Sequence, residues 1–128
     1  MKINIVEREG YSNRIMNWKI YVRKDLTVAK ASEYYYEFIE ENSFRPVSEL
    51  VLPEDGELLK EAVAAELFAP LELMTVLSNL KDSTRNVYLR MEQSEQTEDG
   101  IPLYQITLSD LHDLESRTVQ QEQSILKY

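Results

Sequence analysis

The sequence contains no cysteine. That absence removes disulfides, thiolate nucleophiles, cysteine-ligated zinc and covalent cysteinyl adducts. Histidine occurs once, as His112, so a nucleophile–base pair and a histidine-rich metal centre both lack their usual material. No apolar run is long enough to cross a bilayer or to form the core of a signal peptide, which makes a soluble, cytoplasmic chain the default expectation. Positive charge is short as well. Fourteen Lys and Arg face 23 Asp and Glu, for a formal net charge of -9. Such a surface repels phosphate backbones and anionic lipid heads, which argues against nucleic acid and membrane surfaces as partners. Arg14, Lys19, Arg23 and Lys24 are too scattered to form a basic patch that would reverse this.

What is present suits one domain with one core: 128 residues, 43% hydrophobic and 29% charged. Residues 1–19 read as an N-terminal extension broken at Gly10 and Ser12-Asn13. Ile20 and Val22, then Leu26 and Val28, alternate with polar residues about a Lys24-Asp25 turn and predict two short strands. Ser32 can cap a helix that runs to about Glu41 and carries Tyr35, Phe38 and Ile39 on one side. Ser48 to Leu52 suggests a helical turn. Pro53-Glu54-Asp55 then opens a second helix, with proline at its first position and carboxylates at the positive end of its dipole. Leu58, Leu59, Ala62, Val63 and Leu67 follow at helical spacing.

Beyond Pro70 the period changes. Residues 71–77 are strand-like, residues 79–86 supply a turn, and Val87, Leu89 and Met91 alternate with polar neighbours. Asp99-Gly100 is a hairpin signal, and Tyr104, Ile106 and Leu108 mark a further strand. The fold class this order predicts is α+β: a five-stranded antiparallel sheet with helices inserted between strands 2 and 3, followed by a helix over 111–128.

This order, with its local sequences, resembles a PAS domain over about residues 20–122. Val47-Ser48-Glu49-Leu50-Val51-Leu52-Pro53-Glu54-Asp55 is similar to a segment that ends in His-Pro-Glu-Asp in many PAS sensors, with Leu52 where histidine is common. Residues 84–93 and 101–108 resemble the paired late strands. Ser109-Asp110-Leu111-His112-Asp113 resembles the Asp-Ile-Thr junction between the last strand and an output helix; Leu111 and His112 replace Ile and Thr, and Asp110 is retained. The resemblance implies a sensory or relay module over residues 20–110, part of a longer signal-transduction protein. It implies a GGDEF cyclase or histidine kinase type of output domain in cis, and a signal junction at Asp110, Leu111 and His112.

The same residues bound the chemistry. PAS domains that hold haem place a histidine on the long helix; His112 lies past the last strand, so haem is disfavoured. Covalent flavin chemistry needs a cysteine and is excluded. The acidic run Glu33, Glu37, Glu40 and Glu41 reads as a solvated helix face, so no catalytic residues are assigned and no enzyme activity is expected. A small-molecule pocket, if open, would be walled by Tyr35, Phe38, Leu50, Leu59, Val63, Leu89, Met91 and Ile106. The same eight residues could equally pack on one another and leave no cavity. Tyr34 or Tyr36 could offer a hydroxyl to a ligand or a dimer partner. Trp18 is a packing residue, an anchor for the extension, or a dimer contact.

Leu111, Leu114, Thr118, Gln121, Ile125 and Tyr128 recur at alternating spacings of three and four, the seam of a coiled coil or of a helix that folds back on its own domain; the resemblance implies the coiled coil, and with it a homodimer. Two other readings remain: a ligand-free protein–protein interaction domain, and a small enzyme of related curved-sheet shape.

Overall fold

The computed structural model describes residues 17–66 and 69–110. Residues 1–16 of the N-terminal extension, Leu67, Phe68 and the whole 111–128 segment, with the junction residues Leu111 and His112 and the coiled-coil seam, lie outside the described residues.

Five strands form one antiparallel sheet, β1 (Asn17–Val22), β2 (Val28–Ala31), β3 (Leu71–Ser78), β4 (Thr84–Glu98) and β5 (Ile101–Asp110), in the spatial order β2-β1-β5-β4-β3. Two helices, α1 (Glu33–Ile39) and α2 (Pro53–Ala64), stand between β2 and β3 with two short 3-10 turns, Glu40–Asn42 and Val47–Glu49. This is the predicted α+β arrangement.

Strand alternation places one set of side chains under the helices. Ile20 pairs with Ile106, Ile106 with Met91 and Met91 with Leu71; Trp18, Leu108, Leu89 and Leu73 form the next row. All except Leu71 and Leu73, which are partly buried, belong to the buried core. The opposite face is polar: Lys19, Thr107, Arg90 and Glu72 form one row, and Arg90 donates to Glu72 at 2.8 Å and Glu92 at 3.2 Å. Trp18 therefore packs inward rather than on the outer face, edge-on to Tyr35 at 6.3 Å and tilted against Phe38 at 5.8 Å. It lies in β1, which starts at Asn17, ahead of the boundary that polarity alone suggests.

Four local readings need correction. Leu26 is not in β2. It lies in the β1–β2 turn with φ 69, its N–H donating to the Arg23 carbonyl at 2.8 Å and its carbonyl accepting from Val47 N–H at 2.9 Å. Burial of its side chain offsets the disfavoured backbone. Ser32 sits at the N-cap of α1, but its hydroxyl makes no cap hydrogen bond. That helix ends at Ile39, because Glu40 turns to φ 56, ψ -127 and the chain continues as a 3-10 turn. On α2, Gly56, Leu59 and Val63 face the core at spacings of three and four, so Leu58, rotated about 100° from Leu59, is exposed.

The β3–β4 loop is shorter than predicted, since β4 already begins at Thr84. Asn79 holds it together. The buried Asn79 Oδ1 accepts from the N–H groups of Lys81, Asp82 and Ser83 at 2.9, 3.2 and 3.2 Å. At the other end, β4 and β5 run up to the Asp99-Gly100 turn, whose φ values of 52 and 81 suit a two-residue hairpin.

Candidate functional site

The eight residues proposed as pocket walls come from α1, α2, β4, β5 and the turn after the second 3-10 segment. The fold brings them together. Tyr35, Leu50, Leu59, Leu89, Met91 and Ile106 are fully buried, Val63 nearly so, and Phe38 packs half-buried on the same cluster. They touch one another within the core. Tyr34 and Tyr36 are exposed on the far side of α1, as three consecutive helical positions require. The Tyr35 hydroxyl is buried without a hydrogen-bond partner, as is the Ser32 hydroxyl one turn earlier. Burial drives the Tyr35 ionisation far above the ordinary tyrosine value, with the neighbouring Tyr36 adding a smaller push, so the group stays a neutral phenol.

Two ends of the sheet carry polar machinery. At the first end, Asp110 closes β5. Arg85 Nη1 lies 3.5 Å from Asp110 Oδ2, and the same guanidinium stands 5.6 Å from the centre of the Phe38 ring. Phe38 in turn touches Trp18. A chain of contacts thus runs from α1, through Arg85, to the residue at which the last strand ends. Close by, Lys81 Nζ bridges Glu40 at 3.0 Å and Glu41 at 2.9 Å, and Asn42 Nδ2 donates to the Asn79 carbonyl at 2.6 Å. These bonds tie the C-terminal end of α1 to the β3–β4 loop. Both carboxylates raise the Lys81 ammonium pKa, so it stays charged.

At the second end, the β1–β2 turn meets the β4–β5 hairpin. Arg23 makes a two-pronged bond to Glu98, Nε to Oε1 at 2.6 Å and Nη2 to Oε2 at 2.9 Å, and its Nη1 donates to the Val28 carbonyl at 3.1 Å. The guanidinium holds the Glu98 carboxyl below the usual carboxylate range. Hollows open here. One, about 540 Å³, lies between the β1–β2 turn, the last turn of α2 and Tyr104 of β5. It meets the predicted walls only at Val63. Hollows of about 310 and 200 Å³ adjoin it along the hairpin.

Among the described residues no group of three or more His, Asp or Glu is placed to hold a metal ion, and no helix is long and apolar enough to cross a membrane.

The architecture has close counterparts among solved structures. The PAS domain of an HTR-like protein from Haloarcula marismortui superimposes with a TM-score of 0.59 at 15% identity, covering 86% of this chain and 99% of that one. The PAS domain of a protein from Desulfitobacterium hafniense gives 0.57 at 12% identity, covering 79% and 98%. The chain has the PAS fold. No protein-family model matches the sequence. No curated protein matches it either. At these identities the match is one of backbone path, carried by the strand order and by the two helices between β2 and β3.

In this PAS fold the residues that reading the sequence missed are cations. Arg85 falls within residues 79–86, which read as a turn, although its place two positions before Val87 puts it at the mouth of β4 and on the same face as that core residue. Lys81 and Arg23 carry no motif; their partners, Glu40, Glu41 and Glu98, are 40 to 75 positions away in sequence.

Proposed function

We propose that the chain is a non-enzymatic sensory or relay module of a cytoplasmic signalling protein. In this reading a bound small molecule or a change in homodimer packing alters the helical layer. The change leaves through the segment after Asp110, which acts as a coiled-coil dimer helix, to an output domain of GGDEF cyclase or histidine kinase type. The PAS fold supports the module. The observation that carries the route is the contact of Arg85 with both Phe38 of α1 and Asp110 at the end of β5. A shift of α1 that moves Phe38 changes the surroundings of the guanidinium, and with it the pairing at Asp110. The candidate core residues Tyr35, Leu50, Leu59, Val63, Leu89, Met91 and Ile106 transmit such a shift because close-packed side chains cannot move singly.

Hydrogen exchange on the full chain tests this. Phe38→Ala and Arg85→Gln should each raise exchange at residues 107–110 and in the 111–128 segment, whereas Tyr34→Ala, on the exposed face of α1, should not. Unchanged exchange beyond residue 106 in both of the first two variants would contradict the route.

A further inference from the structure

We propose that the groove at the hairpin end of the sheet binds a small zwitterion with an apolar substituent, in chemical class an α-amino acid. Its apolar lining comes from Leu26, Val63, Ala64 and the ring of Tyr104, and its volume of about 540 Å³ is in the range of small-molecule sites. Four charged side chains stand around it: Lys24, Lys60, Asp25 and Glu66. Two are already engaged. Lys60 Nζ donates to Glu57 at 3.3 Å, and Asp25 Oδ1 accepts from Thr27 N–H at 3.0 Å and from the Thr27 hydroxyl.

Lys24 and Glu66 remain, and neither has an ion-pair partner among the described residues. Both, with Tyr104, also border the adjoining 200 Å³ hollow, so one ammonium and one carboxylate stand where two cavities meet. The backbone is bent to make this rim. Leu26 and Glu66 take φ values of 69 and 50, a conformation that costs energy in residues with side chains and recurs at ligand clamps.

The charges select the ligand. A plain anion would pair with Lys24 but face Glu66, and a plain cation would meet the reverse. A molecule with both a carboxylate and an ammonium pairs with each, while an aliphatic or aromatic substituent packs beside Ala64, the exposed apolar side chain of the lining. The site shares only Val63 with the core walls of the sensory reading. The inference rests on that reading only for the use made of binding, not for binding itself.

The test is calorimetric titration of the full chain with L-leucine and L-phenylalanine. It is repeated with L-leucinamide, which lacks the carboxylate, with 4-methylpentanoate, which lacks the ammonium, and on the variants Lys24→Met and Glu66→Gln. Both side chains are exposed, so the variants keep the fold. Saturable binding of at least one amino acid is expected. Loss of either ligand charge, or of either protein charge, should weaken it about tenfold, the scale of one charge-assisted contact. Failure of both amino acids to saturate, or an affinity unchanged in either variant, overturns the proposal. Binding that leaves exchange beyond residue 106 unaltered keeps the site and counts against the relay reading instead.

Discussion

Tyr35 is the residue whose chemistry is least settled by its surroundings. Its ring is placed well, against Trp18 and in the core, but its hydroxyl and that of Ser32 have no partner. A buried unpaired hydroxyl costs about 1–3 kcal/mol. Tyr35→Phe removes the group and keeps the ring, so thermal or denaturant unfolding should show stability unchanged or raised by about 1 kcal/mol. A loss of comparable size would mean that the hydroxyl holds a water or a ligand. Arg23 and Glu98 make the opposite case, with every prong satisfied. Because Glu98 ionises more readily in the folded chain, its contribution is present above the ordinary carboxylate range and fades as pH falls through the lowered folded value. Glu98→Gln should therefore melt below the wild type at pH 7, with the gap closing as the pH is lowered through the depressed Glu98 value. A gap independent of pH would contradict the assignment.

Among the elements, α2 depends most on one small residue. The Gly56 N–H closes the first turn on the Leu52 carbonyl at 2.8 Å, and its α-carbon lies against the Ser48 backbone so closely that a β-carbon would overlap the Ser48 carbonyl oxygen. Neither side is a flexible side chain that can give way. Gly56→Ala should cost about 2–3 kcal/mol in denaturant unfolding, although alanine is the better helix former. A stabilising result would show that the Val47–Glu49 turn can move aside. The sequence made most elements legible and this contact illegible, since propensity and period report on one segment at a time. Pro53 marked the start of α2, and the alternation of Val87, Leu89 and Met91 marked β4. Leu58 was misassigned because a run of two leucines blurs a 3.6-residue period. The far half of β4 is illegible because its register with β5 is broken between Gln93 and Thr97 and its side chains there are mostly exposed, so no hydrophobic alternation marks it. The cations of the candidate site left no local pattern at all, because only the closed sheet brings Arg85 to Asp110 and Arg23 to Glu98.

For the whole molecule, the proposed groove and the proposed relay contact lie toward opposite ends of β5. Tyr104, at the groove, and Asp110, at the strand end, are six residue steps apart along β5, about 20 Å of extended chain. β5 is central, paired with β1 and β4 along most of its length, so a displacement at one end is felt by both neighbours before it reaches the other. This geometry makes β5 the direct path between the groove at the rim and the segment that follows Asp110. Native mass spectrometry of the full chain as purified from cells, reading oligomer mass and bound mass together, tests the signalling account most directly. The account predicts a dimer, or a chain carrying an added small molecule. A bare monomer at micromolar concentration would contradict it.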